Sequence, residues 1–339
     1  MTDDAIVQQQ PERRRSSRLL LIVLIMILLL ALGGILWVLL SMVRAPQRQP
    51  LTIDKPGVKY EFAAFGGSFG LLDHPVGVAY DSQQGTIYAT EPIEGRVTVY
   101  DEDGTNGRIF VDTKDYKVKN PTGIDVGPDG LIYVADPGLG GVSVFNTAGD
   151  LVRKITTKEP VAWVHVSGDR VYTLSPGTLY VSDLDGNALA QWGKFGRGLD
   201  ELSEPSGVAV DKAGTMYVTD LNNYRVVALD PDFNRTWQVG ATASTEASAN
   251  AREFGGPSGL TIGSDGNIYF LDGLESHVYI VDKSGKLISD PLSEVGNTDD
   301  SLNLPRGIDS MGGDLFVIAD TFHNRIVGLR LTPQRGQNP

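Results

Sequence analysis

The stretch PRGIDSMGGDLFVIADTFHNRIVGL, Pro305–Leu329, decides how the chain is read, because PSGVAVDKAGTMYVTDLNNYRVVAL at Pro205–Leu229 matches its layout place for place. Each holds a proline, a glycine two residues on, a short apolar run, a polar hairpin, a second run ending in aspartate and a third opening with arginine. Working outward, Pro75, Pro121, Pro160, Pro205, Pro257 and Pro305 open six such units, 39 to 52 residues apart. That period is the length of a four-stranded propeller blade. The glycines are Gly77, Gly123, Gly207, Gly259 and Gly307, and the second runs end at Glu91, Asp136, Asp220, Asp272 and Asp320. Third runs follow at Arg96–Tyr100, Val142–Phe145, Arg225–Leu229, His277–Val281 and Arg325–Leu329. The unit from Pro160 departs from the pattern: Pro160-Val161-Ala162-Trp163 lacks the glycine and Ser175-Pro176-Gly177 replaces the acid. Glycine at the start of an innermost strand lets six backbones crowd one axis with no side chain between them.

The last unit supplies only three strands, while VKYEFAAF at Val58–Phe65 precedes the first full unit. Pairing that segment beside Arg325–Leu331 would give the sixth blade a fourth strand and leave no open edge. The expected fold is all-β, a six-bladed β-propeller over residues 58–332 closed by N- and C-terminal strands, with a polar tail at 333–339.

Composition narrows the partners. The chain has 339 residues, 42 acidic against 29 basic side chains and a net charge of −13. Residues 1–50 hold six arginines and three acids, so 23 basic and 39 acidic residues remain beyond them, a net −16. Such a domain lacks the basic footprint of nucleic-acid binding. With no cysteine, thiol catalysis, disulfides and thiolate metal sites are excluded. Leu19–Val43 is a run of 25 uncharged, mostly aliphatic residues. It exceeds the ~20 needed to span a bilayer and the ~7–15 of a cleavable signal region. It reads as a transmembrane signal anchor after a cytoplasmic tail at 1–18. Arg13, Arg14, Arg15 and Arg18 crowd its N-terminal side, which places the propeller outside the cytoplasm at the cell membrane. Residues 44–57, with three prolines, read as a stalk.

The segments Ala319–Val327 and Thr219–Val227 resemble the second-to-third-strand signature of NHL repeats, as does Phe195-Gly196-Arg197-Gly198 running on to Asp211. The resemblance covers essentially everything after the stalk and implies an NHL/TolB-like propeller. It fixes function weakly, because the fold hosts sensors, RNA binders, scaffolds and lyases.

Chain order puts the fourth-to-first and second-to-third connections on one face, where the long loops Asp112–Asn120, Gly193–Glu204, Gly240–Gly256 and Leu292–Leu304 lie. Long loops on a rigid scaffold usually bind something. Tyr116, Phe195 and Phe254 are the candidate contact aromatics, with Arg306, Arg225 and Arg325 as candidate contact cations. Arg96, Arg225 and Arg325 also recur beside the acid that ends the preceding strand, which makes them ion-pair partners. The recurring acids themselves suit backbone N–H groups of their own turns. Asp101–Gly104 and Asp183–Gly186 lack EF-hand spacing and are turns.

His74, His277 and His323 fall on the same face in neighbouring blades, as a three-imidazole metal site would require. Amidating and antibiotic lyases of similar propellers use histidine and metal there, so the resemblance implies a metal-dependent lyase, with zinc as a candidate metal, as the alternative function. His165, inside an inner strand, reads as core packing. Asp125 and Asp309 lie on inner strands near the axis, where carboxylates bind water or a cation. A calcium-dependent, lactonase-like hydrolase would use them. No phosphate-binding Gly-rich loop and no Gly-x-Ser-x-Gly elbow occurs. The leading expectation is a membrane-anchored extracytoplasmic module without a cofactor, binding a protein, peptide or glycan through its long-loop face.

Overall fold

Short alternating strands separated by Gly/Asp/Asn hairpins form consecutive antiparallel sheets, and the computed structural model has six such blades arranged in sequence, with a small two-stranded ladder, Gly66–Gly67 against Gly70–Leu71, ahead of the first. It describes residues 54–55, 57–115, 117–240, 253–292 and 301–333. The expected membrane segment at 19–43, the cytoplasmic tail and Tyr116 lie outside the described residues. Among those described, no helix is long and apolar enough to cross a membrane.

Blade 1 runs Val78–Asp81, Thr86–Glu91, Arg96–Asp101, Arg108–Asp112, from innermost to outermost strand. Blade 2 is Ile124–Val126, Ile132–Asp136, Gly141–Phe145, Leu151–Thr156, and blade 3 is Trp163–Ser167, Arg170–Leu174, Leu179–Asp183, Ala188–Trp192. Blade 4 is Pro205–Val210, Met216–Asp220, Arg225–Leu229, Arg235–Gly240. Blade 5 has Pro257–Ile262, Ile268–Asp272 and His277–Val281, and its outer edge is reduced to the bridges Val278↔Leu292 and Val281↔Leu287. Pro291, beside Leu292, has no N–H to extend a ladder there.

Blade 6 contains Pro305–Gly312, Leu315–Asp320 and Arg325–Leu331, and Val58–Ala64 completes it with Val58 opposite Leu331 and Ala64 opposite Ile326. The ring is thus closed by the two ends of the domain. Asp54–Lys55, expected in the stalk, instead folds back as a fifth strand with Asp54 opposite Lys59. Arg330 Nε donates to Glu61 Oε1 at 2.7 Å, tying the closing strand to its neighbour.

One apolar cluster fills each interface between adjacent blades. That of blades 5 and 6 contains Leu271, Ile280, Phe316, Ile318 and Leu329, and that of blades 6 and 1 contains Ile87, Tyr100, Val317 and Ile326. The other four clusters serve blades 1–2, 2–3, 3–4 and 4–5. Inner strands meet backbone to backbone: a Cβ on Gly259 would lie 2.4 Å from Arg306 O, and one on Gly307 2.6 Å from Val76 O. Blade 3 has Trp163 where the others have this glycine, and its indole is buried in the interface with blade 4.

Candidate functional site

Register fixes which residues share a level of the central channel. Ala79 pairs with Tyr88, Asp125 with Tyr133, His165 with Tyr172, Ala209 with Tyr217, Thr261 with Tyr269 and Asp309 with Val317. These six inner-strand residues, one per blade, are equivalent. Asp125 Oδ2 accepts from Val166 N of blade 3 at 2.7 Å, and Asp309 Oδ2 accepts from Tyr80 N of blade 1 at 2.8 Å. Each carboxylate therefore stitches its blade to the next.

His165 is not core packing. Its Nδ1 lies 2.9 Å from Asp125 Oδ2. Burial alone would lower its pKa, but the charge and hydrogen bond of Asp125, with a further push from Asp309, raise it above the ordinary imidazole value. The Asp309 carboxyl is pushed up to about 7, by burial first and by the charge of Asp125 second. The sequence signal for His165 was Tyr172: aligned on that tyrosine, blade 3 carries one extra residue between Pro160 and its inner strand.

These groups do not fit calcium. Asp125 already accepts from Val126 N, Val166 N and His165, and Asp309 from Tyr80 N, Ser310 N and the Thr261 hydroxyl. Calcium asks for 6–8 oxygens free to turn toward it. His165 Nε2 is buried and without a hydrogen-bond partner among the described residues.

Each of the three other histidines lies beside a different carboxylate. His74 Nδ1 contacts Asp73 Oδ1 at 2.5 Å, and its ring packs edge-on to Phe322. His323 Nδ1 contacts Asp320 Oδ2 at 2.8 Å, while the carboxylate nearest His277 Nδ1 is Glu275 at 3.6 Å. Among the described residues no group of three or more His, Asp or Glu side chains could hold a metal ion. The expected zinc site is not assembled.

The recurring acid and arginine instead anchor the long-loop face. Asp220 accepts from Ser203 N and from Arg225 Nε, and Arg225 Nη2 donates to Gly198 O and Glu201 O at 2.9 and 2.6 Å. Asp320 likewise accepts from Asn303 N and Arg325 Nε, and Arg325 Nη2 reaches Ser301 O. Glu91 and Arg96 hold Asp73 N and Leu71 O in the same way. The acids thus serve the preceding fourth-to-first connection, where the sequence suggested only their own turns. Arg225 and Arg325 are 1% exposed and spent on this anchoring, so they are not contact residues. Phe254 is not one either: it is fully buried against Phe270 and Tyr279. Phe195, in contrast, is 67% exposed.

Phe195 belongs to a larger pattern. Leu71, Ile93, Leu139, Phe195, Leu199, Leu274 and Phe322 are exposed, and all lie in connections of the long-loop face. The other exposed large apolar residues described, Ile109, Leu151, Val152 and Leu189, lie on outermost strands, and none lies in a hairpin of the opposite face. Amid these tips, Leu221, Tyr224, Leu274, Leu304 and Arg306 line a cleft of about 110 Å3 where the second-to-third connections of blades 4 and 5 meet the start of blade 6.

Two family models match the chain: the SMP-30/gluconolactonase/LRE-like region over residues 70–175 and the NHL repeat over residues 202–229. Human NHL repeat-containing protein 3 is 27% identical over 184 residues, covering 46% of this chain and 51% of the relative. Human NHL repeat-containing protein 2 is 24% identical, covering 48% and 22%. The chain spans about half or less of these curated relatives. Among solved structures, a protein of unknown function from Bacteroides thetaiotaomicron superposes with TM-score 0.63 at 16% identity, covering 81% of this chain and 76% of that one. A Xanthomonas campestris gluconolactonase gives 0.58 at 15% identity with 84% and 96% covered. A streptogramin B lyase gives 0.57 at 13% with 82% and 99% covered. At these identities the structural likeness establishes the fold alone. Repeat sequence and blade count agree that this chain is a six-bladed β-propeller, and its residues 202–229 match the NHL repeat.

Proposed function

We propose that this propeller is a binding module, anchored to a membrane by residues 19–43 and presenting its long-loop face to a polypeptide partner outside the cytoplasm. The observation that carries this reading is the one-sided placement of exposed apolar tips, such as Ile93 at 67%, Leu274 at 65% and Phe322 at 54%. Clustered exposed apolar side chains mark interaction sites on soluble domains. Here the acid–arginine pairs hold the fourth-to-first connections that carry Leu71, Phe195 and Leu199, so that part of the face is ordered before a partner arrives. That lowers the ordering cost of association. A net charge of −16 disfavours an anionic bilayer or nucleic acid as the occupant.

The test is a triple variant, Ile93→Ser/Leu274→Ser/Phe322→Ser, compared with the wild-type full chain in detergent extracts of its own membranes. The reading expects a discrete higher-mass complex for wild type and its loss in the variant, with an unchanged circular-dichroism spectrum and melting temperature. Equal complex formation by both proteins would remove the long-loop face from the account.

A further inference from the structure

Outermost strands form the perimeter of the ring, and each turns every second N–H and C=O away from its own blade. Such an edge is a template for another chain, and charges or prolines along it are the usual guard. Blade 1 carries Arg108 and Asp112 on its outermost strand, and blade 2 carries Arg153 and Lys154. Blade 4 has Arg235, the outer segment of blade 5 has Asp290 and Pro291, and blade 6 ends in Asp54–Lys55. Ala188–Trp192 of blade 3, with the sequence ALAQW, has neither charge nor proline. Among the described residues its backbone makes no hydrogen bond beyond the ladder with Leu179–Asp183, and Leu189 is 54% exposed.

The neighbouring hairpins differ at the same place. The hairpin of the following blade closes on the edges of blades 1 and 2: a Cβ on Gly149 would lie 2.9 Å from Phe110 O, and one on Gly186 3.0 Å from Ile155 Cγ2. On the edge of blade 4, Trp237 Nε1 donates to Lys283 O at 3.0 Å. Beside blade 3 the equivalent turn, closed by Phe233 N to Asp230 O, has Phe233 at φ 64° where the others have Gly149, Gly186 and Gly285. No hydrogen bond joins this turn to Ala188–Trp192 among the described residues. Gln191 and Trp192 instead share with Phe233 and Asn234 an open groove of about 540 Å3. Lys194 and Asp200, from the connection that carries the exposed Phe195 and Leu199, line it too.

We infer that the outer edge of blade 3 takes an extended segment of a polypeptide partner as an added strand, with one row of that segment's side chains in the groove. Another extended backbone matches a strand's free N–H and C=O groups, and its alternate side chains enter flanking pockets. An uncharged edge suits a segment of β-branched and aromatic residues, which favour strands. The surface lies on the side wall of the ring, so it adds to the binding-module reading without resting on the exposed tips.

Amide exchange of the intact full chain in detergent tests this without the natural partner. A pool of N-acetylated, C-amidated pentapeptides of valine, threonine and tyrosine should slow exchange within Ala188–Trp192 at least threefold. The same pool N-methylated at every second residue keeps one free edge and should still protect. Methylation of every residue blocks both edges and should abolish protection. Leu189→Lys/Gln191→Lys gives this edge the guard of its neighbours. It should keep the circular-dichroism spectrum and melting temperature and lose the protection. The inference is overturned if the unmethylated pool leaves these amides unprotected, if the fully methylated pool protects equally, or if the folded lysine variant is protected like wild type. A wild-type mass of two chains, reduced to one in the lysine variant, would make a second copy the occupant and overturn it as well. Ile93→Ser/Leu274→Ser/Phe322→Ser should be protected like wild type, so failure of the long-loop face and failure of this edge are read separately.

Discussion

The Asp309 carboxyl, pushed up to about 7, keeps its proton where the unfolded chain, with an ordinary value of 3.8, has released it. Folding therefore binds a proton between those values, and stability contributed by this group falls as pH rises from about 4 to about 7. His165 acts in the same direction at higher pH: its raised folded value gives stability that is full below 6.5 and lost as pH rises through the folded value. Asp309→Asn should shrink the difference in urea midpoint between pH 5 and pH 8, and a difference as large as wild type would contradict the assignment. Arg225 is the opposite kind of residue, a fully buried guanidinium facing Asp220 at 2.8 Å. Arg225→Ala leaves that carboxylate unpaired, and equilibrium denaturation should show a loss of about 3–5 kcal/mol. Asp125 and Asp309 were legible as axial carboxylates because a fixed offset from the glycine locates them. His165 was not, since the blade that carries it has lost the glycine and gained a residue before the strand. Phe254 was misread because composition cannot tell whether a loop aromatic faces outward or fills the gap beneath its loop.

Closure rests on a single element, Val58–Ala64, whose sequence distance from its partner strand leaves no local turn to hold it. Its hydrophobic content and the three-strand shortfall of blade 6 made the pairing readable before any coordinates. The return of Asp54–Lys55 was hidden among prolines that suggest an extended stalk. Ala63 pairs with Val327 in this ladder. Ala63→Pro should open the ring at this seam, lowering the melting temperature and exposing the blade 6–1 interface to proteolysis, while Thr147→Pro, at the second position of the outer turn closed by Gly149 N to Asn146 O, should change neither. Inner strands have their own constraint: Gly259→Val would drive a side chain against Arg306 O at 2.4 Å. The blade 5–6 seam should then loosen, seen as faster amide exchange in Pro257–Ile262 and Pro305–Gly312.

Across the whole molecule, the six-unit period set the architecture, but it could not say which face works. That came from the difference between the two faces, hairpins of Asp, Asn and Gly on one and exposed Leu, Ile and Phe on the other. A photo-crosslinking residue placed at 274 or 322, compared with one at 212 or 284 on opposite-face hairpins, tests this asymmetry in the protein's own cells. The account predicts a discrete polypeptide adduct from the first pair and none from the second. Adducts of equal yield from both faces, or adducts only to lipid, would contradict it.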